Sequence, residues 1–521
     1  MLIRKLAVLS LIAGLSLAAC TGDPNDPMTW AKKLGNVRDQ QEALNQLARM
    51  GVDRAKVAVP ALVALYKETK KPEHLEALVR YKDTSAIPLY VEALDFTEDD
   101  FDRAIVAAGA LGELREQATE AVPALIKAVE HQLPIKSRAN NVRLAAIRAM
   151  VKIGDKRAVP ALMKILGTSA DEQDFLLNQK SALGLAELRD PQAIPALIKG
   201  MFMTGRGANI FQECRLGLVR MGEPAVAPLV ALLNEKNPEI NEMSRKLDFD
   251  KYSPGIIRFK AAMLLGDLRA ASAVRALAAN LKIPAKSGEH KSILIALGFI
   301  GTKDAVDVLL NTLRDKKADA PTRSAAEDGI YLSGDRRAVP ILMETAKSGY
   351  VVVQGMKASD LRANAAIDLA RIAGPEQYDE FKVLADKEKE VQGMFGEALD
   401  RMQVAKECGD KIECYGKHLS DPSWTRAEKA AFWIGFSGNA KQGLPLLLAA
   451  LKPVASLTQD RFPVQQAVLQ AFARLATKND KAVIEALEKQ IERDENAVRL
   501  PGARDLLGET RVTLAVIQNK A

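Results

Sequence analysis

Sulfur and imidazole are the side chains from which nucleophilic or metal chemistry would be built here. Both are scarce, with four cysteines and four histidines in 521 residues. His74, His131, His290 and His418 are scattered, and no motif surrounds any of them. The chain contains no Gly-x-Ser-x-Gly elbow, phosphate-cradling Gly-rich loop, His-Glu-x-x-His pair or dinucleotide fingerprint. The close sulfur pair is Cys408-Gly-Asp-Lys-Ile-Glu-Cys414. In an oxidising compartment it can bridge and close a short loop. A metal site is the rival, but Cys-x5-Cys lacks the usual zinc spacing and His418 is the only nearby imidazole. A disulfide is the expectation, with free thiols and a metal site as the other readings. Cys214, on an apolar helical face, reads as a buried small side chain. No catalytic residue, metal or cofactor is assigned.

Two further sets of residues are candidates for binding. Lys127, Lys164 and Lys199 each stand four residues after a proline, Pro123, Pro160 and Pro195. Equal register on stacked helices would bring the ammoniums onto one face, able to receive an acidic partner or an anionic glycan. The bland alternative is a solvated face. The row does not persist, since the corresponding positions elsewhere are Glu92, Asn311 and Glu344. Trp424, Phe432 and Trp433 form the densest aromatic cluster, beside the cysteine pair. Core packing is its default role, and a partner hot spot is the sharper one.

The elements that must position these residues announce themselves by repetition. Ala-Val-Pro-Ala-Leu occurs at Ala121–Leu125 and Ala158–Leu162, Ala-Ile-Pro-Ala-Leu at Ala193–Leu197, and Ala-Val-Pro-Ile-Leu at Ala338–Leu342. With looser copies included, most starts lie about 28 to 39 residues apart, the spacing of stacked supersecondary units. Upstream of each phrase lies an apolar, Ala-rich stretch. In Val142–Ile153 the apolar residues fall at Val142, Ala145, Ala146, Ala149, Met150 and Ile153, the rhythm of a helix with one buried stripe. Gly154-Asp155 then breaks the helix, and the phrase starts a second one with proline in its first turn. Neither helix hides its stripe alone, so neighbouring pairs must cover each other. No alternating segment of useful length intervenes, and the chain reads as all-α.

These residues carry a family resemblance. The pattern of Arg143-Leu-Ala-Ala146, Ala110-Leu-Gly-Glu-Leu114, Gly334-Asp-Arg-Arg-Ala-Val-Pro-Ile-Leu342 and Arg362-Ala-Asn-Ala-Ala366 resembles HEAT repeats. It is most similar to the short HEAT-like variety first noted in phycobilisome lyases. The resemblance implies an α-solenoid of stacked antiparallel helix pairs, a HEAT-like superhelix. It also implies an internal Asp/Arg ladder, drawn from Arg103, Arg143, Arg258, Arg323, Arg362 and Arg426 with Asp155, Asp190 and Asp335, that holds repeats in register.

The amino terminus carries the address. Arg4 and Lys5 precede an apolar run from Leu6 to Leu17, too short to span a bilayer and built like a cleavable export signal. Ending in Leu17-Ala-Ala-Cys20, it resembles a bacterial lipoprotein signal, in which Cys20 is lipidated and becomes the first mature residue. Several acyl chains on one cysteine would hold the protein firmly to a membrane. Thr21 stands where an aspartate would favour inner-membrane retention in enterobacterial-type lipoproteins, so the resemblance implies the outer membrane.

The expected organisation is a signal peptide at 1–19, a lipidated tether at 20–29 and a repeat array at 30–385 interrupted near 234–255. An irregular Cys-containing segment follows at 386–424, then C-terminal repeats and a cap at 425–521. The formal net charge is +7, with basic and acidic residues interspersed rather than in blocks, which argues against nucleic acid. The expectation is a membrane-anchored scaffold of the cell envelope, not an enzyme, that binds a protein partner. A lyase-like accessory component and a binder of anionic envelope glycans are the alternatives.

Overall fold

The computed structural model describes residues 22–520, apart from breaks at 206, 250–254, 285–288, 316, 349–350, 355–356, 388–391 and 496–500. The leader and Cys20 lie outside the described residues. The chain is an all-α solenoid of stacked helix pairs that divides into two compact units. Of the described residues, one unit comprises those within 22–196 and 202–210, the other those within 197–201 and 211–520.

In the first unit the helices are α1 (Pro27–Lys33), α2 (Gln40–Arg49), α3 (Val59–Thr69), α4 (Pro72–Val79), α5 (Ile87–Ala93), α6 (Asp102–Leu114), α7 (Val122–Glu130), α8 (Asn140–Ile153), α9 (Val159–Gly167), α10 (Phe175–Leu188) and α11 (Ile194–Gly200), the last running on into the second unit. Each repeated phrase forms the same local structure. In one copy Gly154 takes the left-handed conformation, at φ +79°, and ends α8. Asp155 then accepts from the Arg157 N–H and caps a short 3-10 turn, after which α9 begins with Pro160 in its first turn. Asp190 and Asp335 cap equivalent turns through Gln192 and Arg337.

The second unit continues with α12 (Phe211–Met221), α13 (Val226–Leu233), α14 (Pro238–Leu247), α15 (Ile256–Asp267), α16 (Val274–Asn280), α17 (Glu289–Ile300), α18 (Lys303–Arg314), α19 (Ala320–Ser333), α20 (Val339–Ser348), α21 (Arg362–Ile372), α22 (Tyr378–Lys387), α23 (Gln392–Cys408), α24 (Ile412–His418), α25 (Trp424–Phe436), α26 (Ala440–Ala450), α27 (Phe462–Leu475), α28 (Lys481–Asp494) and α29 (Pro501–Asn519). The long first helices of successive pairs pack on one another, α15 on α17, α17 on α19 and α25 on α27. The last helix, α29, packs on α27 and also returns to α12. Buried Arg215 of α12 secures that return by binding Glu509 at 2.7 Å while holding Asp267 of α15 at 2.7 Å.

First helices approach one another backbone to backbone through glycine and alanine. A Cβ on Gly298 of α17 would come within 2.8 Å of the Gly329 Cα on α19, and one on Gly266 within 2.9 Å of the Ala296 Cα. Gly435 meets Ala471 in the same way. Many helix ends are then satisfied by cations from neighbouring elements. Buried Lys429 donates to the carbonyls of Ala370, Arg371 and Ala373 at the end of α21, at 2.7 to 2.9 Å. Arg80 reaches the Met50 carbonyl at 3.0 Å. Such bonds match the orphan acceptors and the negative end of the dipole.

Three details depart from the sequence expectation. First, Arg143 and Arg103 clasp the ends of preceding helices, Arg362 binds the adjacent Asp360, and the turn aspartates Asp155, Asp190 and Asp335 cap locally. Arg143 binds the Val129 carbonyl at 2.8 Å and Gln173 at 3.2 Å, and Arg103 binds the Asp95 carbonyl. Second, two β-hairpins interrupt the helices: β1 (Thr204–Gly205) pairs with β2 (Ala208–Asn209), and β3 (Val351–Gln354) with β4 (Lys357–Asp360). The β-branched run Val351–Val353 explains the second. Third, residues within 386–424 are not irregular. They form the 17-residue α23 and then α24, packed in sequence with α21 and α25. The insertion near 234–255, where the sequence allows a loop or a short helix, is helical over α14, which Asn237 caps through the Ile240 N–H.

The glycine contacts make opposite predictions at two sites. Gly329→Ala forces α17 and α19 apart and should cost about 2 to 3 kcal/mol. Gly109→Ala, on α6, meets nothing within 4 Å and should stabilise by up to about 1 kcal/mol through helix propensity. Urea titration of the two variants beside the parent chain checks both signs.

Candidate functional site

The close approach that builds the first unit also leaves a groove on it. Four helices contribute: Glu76 and Val79 from α4, Ile105, Val106, Gly109 and Glu113 from α6, Ala145, Arg148 and Lys152 from α8, and Lys180, Leu183 and Glu187 from α10. Its volume is about 660 Å³. Small residues line the floor because larger ones would not pack: a Cβ on Gly112 would sit 3.1 Å from the Ala149 Cα, and one on Gly184 would sit 2.9 Å from Val151. Half-buried Ile105, Val106 and Leu183 give the groove apolar walls. Charged groups of both signs form its rim. Glu113 accepts from Lys152 at 2.6 Å and from Lys82 at 3.3 Å, and those bonds hold its carboxyl below the usual range.

The lysine row lies elsewhere. Lys127, Lys164 and Lys199 stand on the second helices α7, α9 and α11. Exposed Lys164 pairs with Glu130 at 2.9 Å, and Lys199 with Glu239 at 2.6 Å. Lys127 is exposed. The cations that border the groove are instead Arg148, Lys152 and Lys180. Sequence reasoning passed over them because nothing in their spacing marks them out.

The aromatic cluster is largely interior. Phe432 is buried, and Trp424 and Trp433 are half-buried. Cations cover the rings: Arg401 lies 4.8 Å from Trp424, and Lys429 lies 4.7 Å from Trp433, which also stacks on Tyr415. Cys408 and Cys414 are joined by a disulfide across the turn from α23 to α24. His418 lies within 4.8 Å of both sulfurs. Its ring is engaged by Asp421 and Glu407, each at 3.2 Å. With the sulfurs bonded to each other, this trio offers no thiolate to a metal. Cys214 is buried, and burial pushes its thiol well above the usual range.

A line of buried charge runs through the second unit. Arg371 binds Asp368 at 2.8 Å and Glu428 at 3.0 Å, and Arg401 binds the other oxygen of Glu428 at 2.8 Å. On α19, Glu327 accepts from Asn364 at 2.9 Å. Burial pushes the Glu327 carboxyl up to about 8, with Asp368 and Asp328 adding to the effect and the Asn364 bond opposing it. Burial raises Asp368 as well. None of these carboxyls lines the groove, and their contacts are with one another's helices.

The family description HEAT repeats matches residues 91–174 and 132–203, which include α6 to α10 and hence most of the groove. No curated protein matches the chain. Among solved structures it is similar to the karyopherin Kap121p, at 10% identity and a TM-score of 0.47, over 94% of this chain and 57% of that one. It is also similar to the CpcE–CpcF complex of phycocyanin lyase from Nostoc sp. PCC7120, at 20% identity and a TM-score of 0.20, over 61% and 93% of the respective chains. Human deoxyhypusine hydroxylase matches at 17% identity and a TM-score of 0.20, over 58% and 98%. The chain thus spans little more than half of the karyopherin's length.

Glu327 yields a pH test. Between about 4.5 and about 8 the unfolded chain ionises this carboxyl while the folded protein keeps it protonated. The folded state therefore binds more protons, and stability should fall as pH rises through that window, by up to about 1.4 kcal/mol per pH unit. Denaturation at pH 5.5 and 7.5 should show the decline for the parent chain and a reduced one for Glu327→Gln. Identical slopes would remove Glu327 as the cause.

Proposed function

We propose that this chain, an α-solenoid whose residues 91–203 match HEAT repeats, works as a non-catalytic interaction scaffold, tethered to a bacterial envelope membrane through a lipidated Cys20. The groove on α4, α6, α8 and α10 is the observation that carries this reading. Its apolar floor and mixed-charge rim suit an amphipathic segment of a partner protein, with aliphatic side chains seated over Gly109 and Gly112 and charged ones meeting Arg148, Lys180 and Glu187. The leader supports the address: its apolar run ends at Leu17-Ala-Ala-Cys20, and the polar Thr21-Gly-Asp-Pro segment provides a spacer. The outer membrane is the proposed location.

A lyase-like role needs a reactive side chain in an accessible groove. Cys408 and Cys414 are bonded together, Cys214 is buried, and the groove contains none of them. An anionic-glycan role through Lys127, Lys164 and Lys199 is weakened by the carboxylates that already engage Lys164 and Lys199.

Two variants test the proposal. Cys20→Ala should move the protein from the membrane fraction to the soluble fraction, and retention in the membrane would contradict the tether. Gly109→Trp should fill the groove, since a side chain at that position meets open space. Neighbours recovered by crosslinking from native membranes should be lost at unchanged helical content. Undiminished recovery would contradict the groove as the binding face.

A further inference from the structure

The second unit contains a cavity of about 350 Å³ onto which three cations converge from distant parts of the chain: Arg269 after α15, Arg474 on α27 and Lys520 after α29. We propose that this cavity is a binding site for a phosphate-type oxyanion carried by a small molecule. The site is independent of the groove on the first unit.

The cations already have partners, and these are carbonyls. Arg269 donates to the Phe299 carbonyl at 2.6 Å, Arg474 to the Leu332 carbonyl at 2.8 Å, and Lys520 to the carbonyls of Arg474 and Ala476 at 2.8 and 3.3 Å. These acceptors lie at the ends of α17, α19 and α27. Nε of Arg269 has no hydrogen-bond partner although it is buried. The carboxylates that act on these cations are committed elsewhere. Asp267 gives both oxygens to Arg215, and Asp480 accepts from the backbone and hydroxyl of Thr477.

Charge counting decides between a purely structural cluster and a site. A helix C-terminus presents about half a negative charge, so three of them offset about half of three full positive charges. At most roughly one and a half positive charges remain, since Asp267 and Asp480 also act on Arg269 and Lys520 from a distance. A phosphate monoester carries about that charge with opposite sign at neutral pH. Burial, and then Arg269, push Arg474 down to about 9, and burial, Arg269 and Arg474 push Lys520 down to about 8. The walls suit an organic ligand. Arg474 stacks 4.1 Å from the Phe436 ring, Phe299 borders the cavity, and Gly438 leaves open space at its rim.

Calorimetric titration of the full chain at fixed ionic strength tests the site, with inorganic phosphate and glycerol phosphate as probes and chloride as the control. Phosphate and glycerol phosphate should bind while chloride does not, and each should raise the thermal midpoint. Lys520→Met and Arg269→Gln should each weaken phosphate binding at least tenfold. Lys520→Met suffices if Arg269→Gln fails to fold. No binding beyond the chloride control, or equal affinity in Lys520→Met, would overturn the proposal.

Discussion

The closeness with which consecutive first helices pack governs what else this chain can do. At Gly298–Gly329, Gly266–Ala296 and Gly435–Ala471 the helices meet with no room for an added methyl group. That intimacy allows an interior of Ala, Leu, Val and Ile to bury itself in thin layers, with aromatics at only 5% of residues. It sacrifices some helix propensity at every glycine, and stacking recovers it. It also sets the surface. Where the small residues Gly109 and Ala145 face outward on the first unit, they leave a channel with aliphatic walls.

Packing helices in parallel rows aligns their ends, and an aligned set of C-termini concentrates unsatisfied carbonyls. The chain answers with cations from neighbouring elements: Arg80, Lys429, Arg269, Arg474 and Lys520 all donate to such carbonyls. Arg371 is accompanied by the buried acids Glu428 and Asp368, whereas Lys429, among the described residues, donates to carbonyls alone. Among the described residues, no carboxylate binds Arg269, Arg474 or Lys520. One structural device thus serves both at a packed helix end, beneath Lys429, and at the edge of a cavity, beside Arg474 and Lys520.

The repeat grammar was legible because it is local. Asp155, Ala158 and Pro160 lie within a few residues of each other and cap, turn and restart the helix by short-range physics alone. The β3–β4 hairpin was half-visible in Val351–Val353, but its pairing with Lys357–Asp360 was not. Residues 386–424 looked irregular because Gly393, Gly396 and interspersed acids dilute the apolar stripe of α23. Its packing on α21 and α25 overrides that weak pattern. Wholly illegible were the features made by distance in sequence. Arg215 and Glu509 meet across 294 residues, the groove depends on the relative register of four helices, and Arg269, Arg474 and Lys520 carry no common motif. The lysines that do share a motif sit on second helices and largely face acids.

The first unit therefore has two surfaces of different character: second helices that carry exposed charge, and first helices whose small residues open a groove. Recognition through the first-helix face is the central claim. It is tested most directly by placing a photo-crosslinking residue at Val106, Leu183, Lys127 or Lys164 in cells and recovering adducts from native membranes. The account predicts a discrete protein adduct from Val106 and Leu183 and none from Lys127 and Lys164. Adducts confined to the two lysine positions would contradict it.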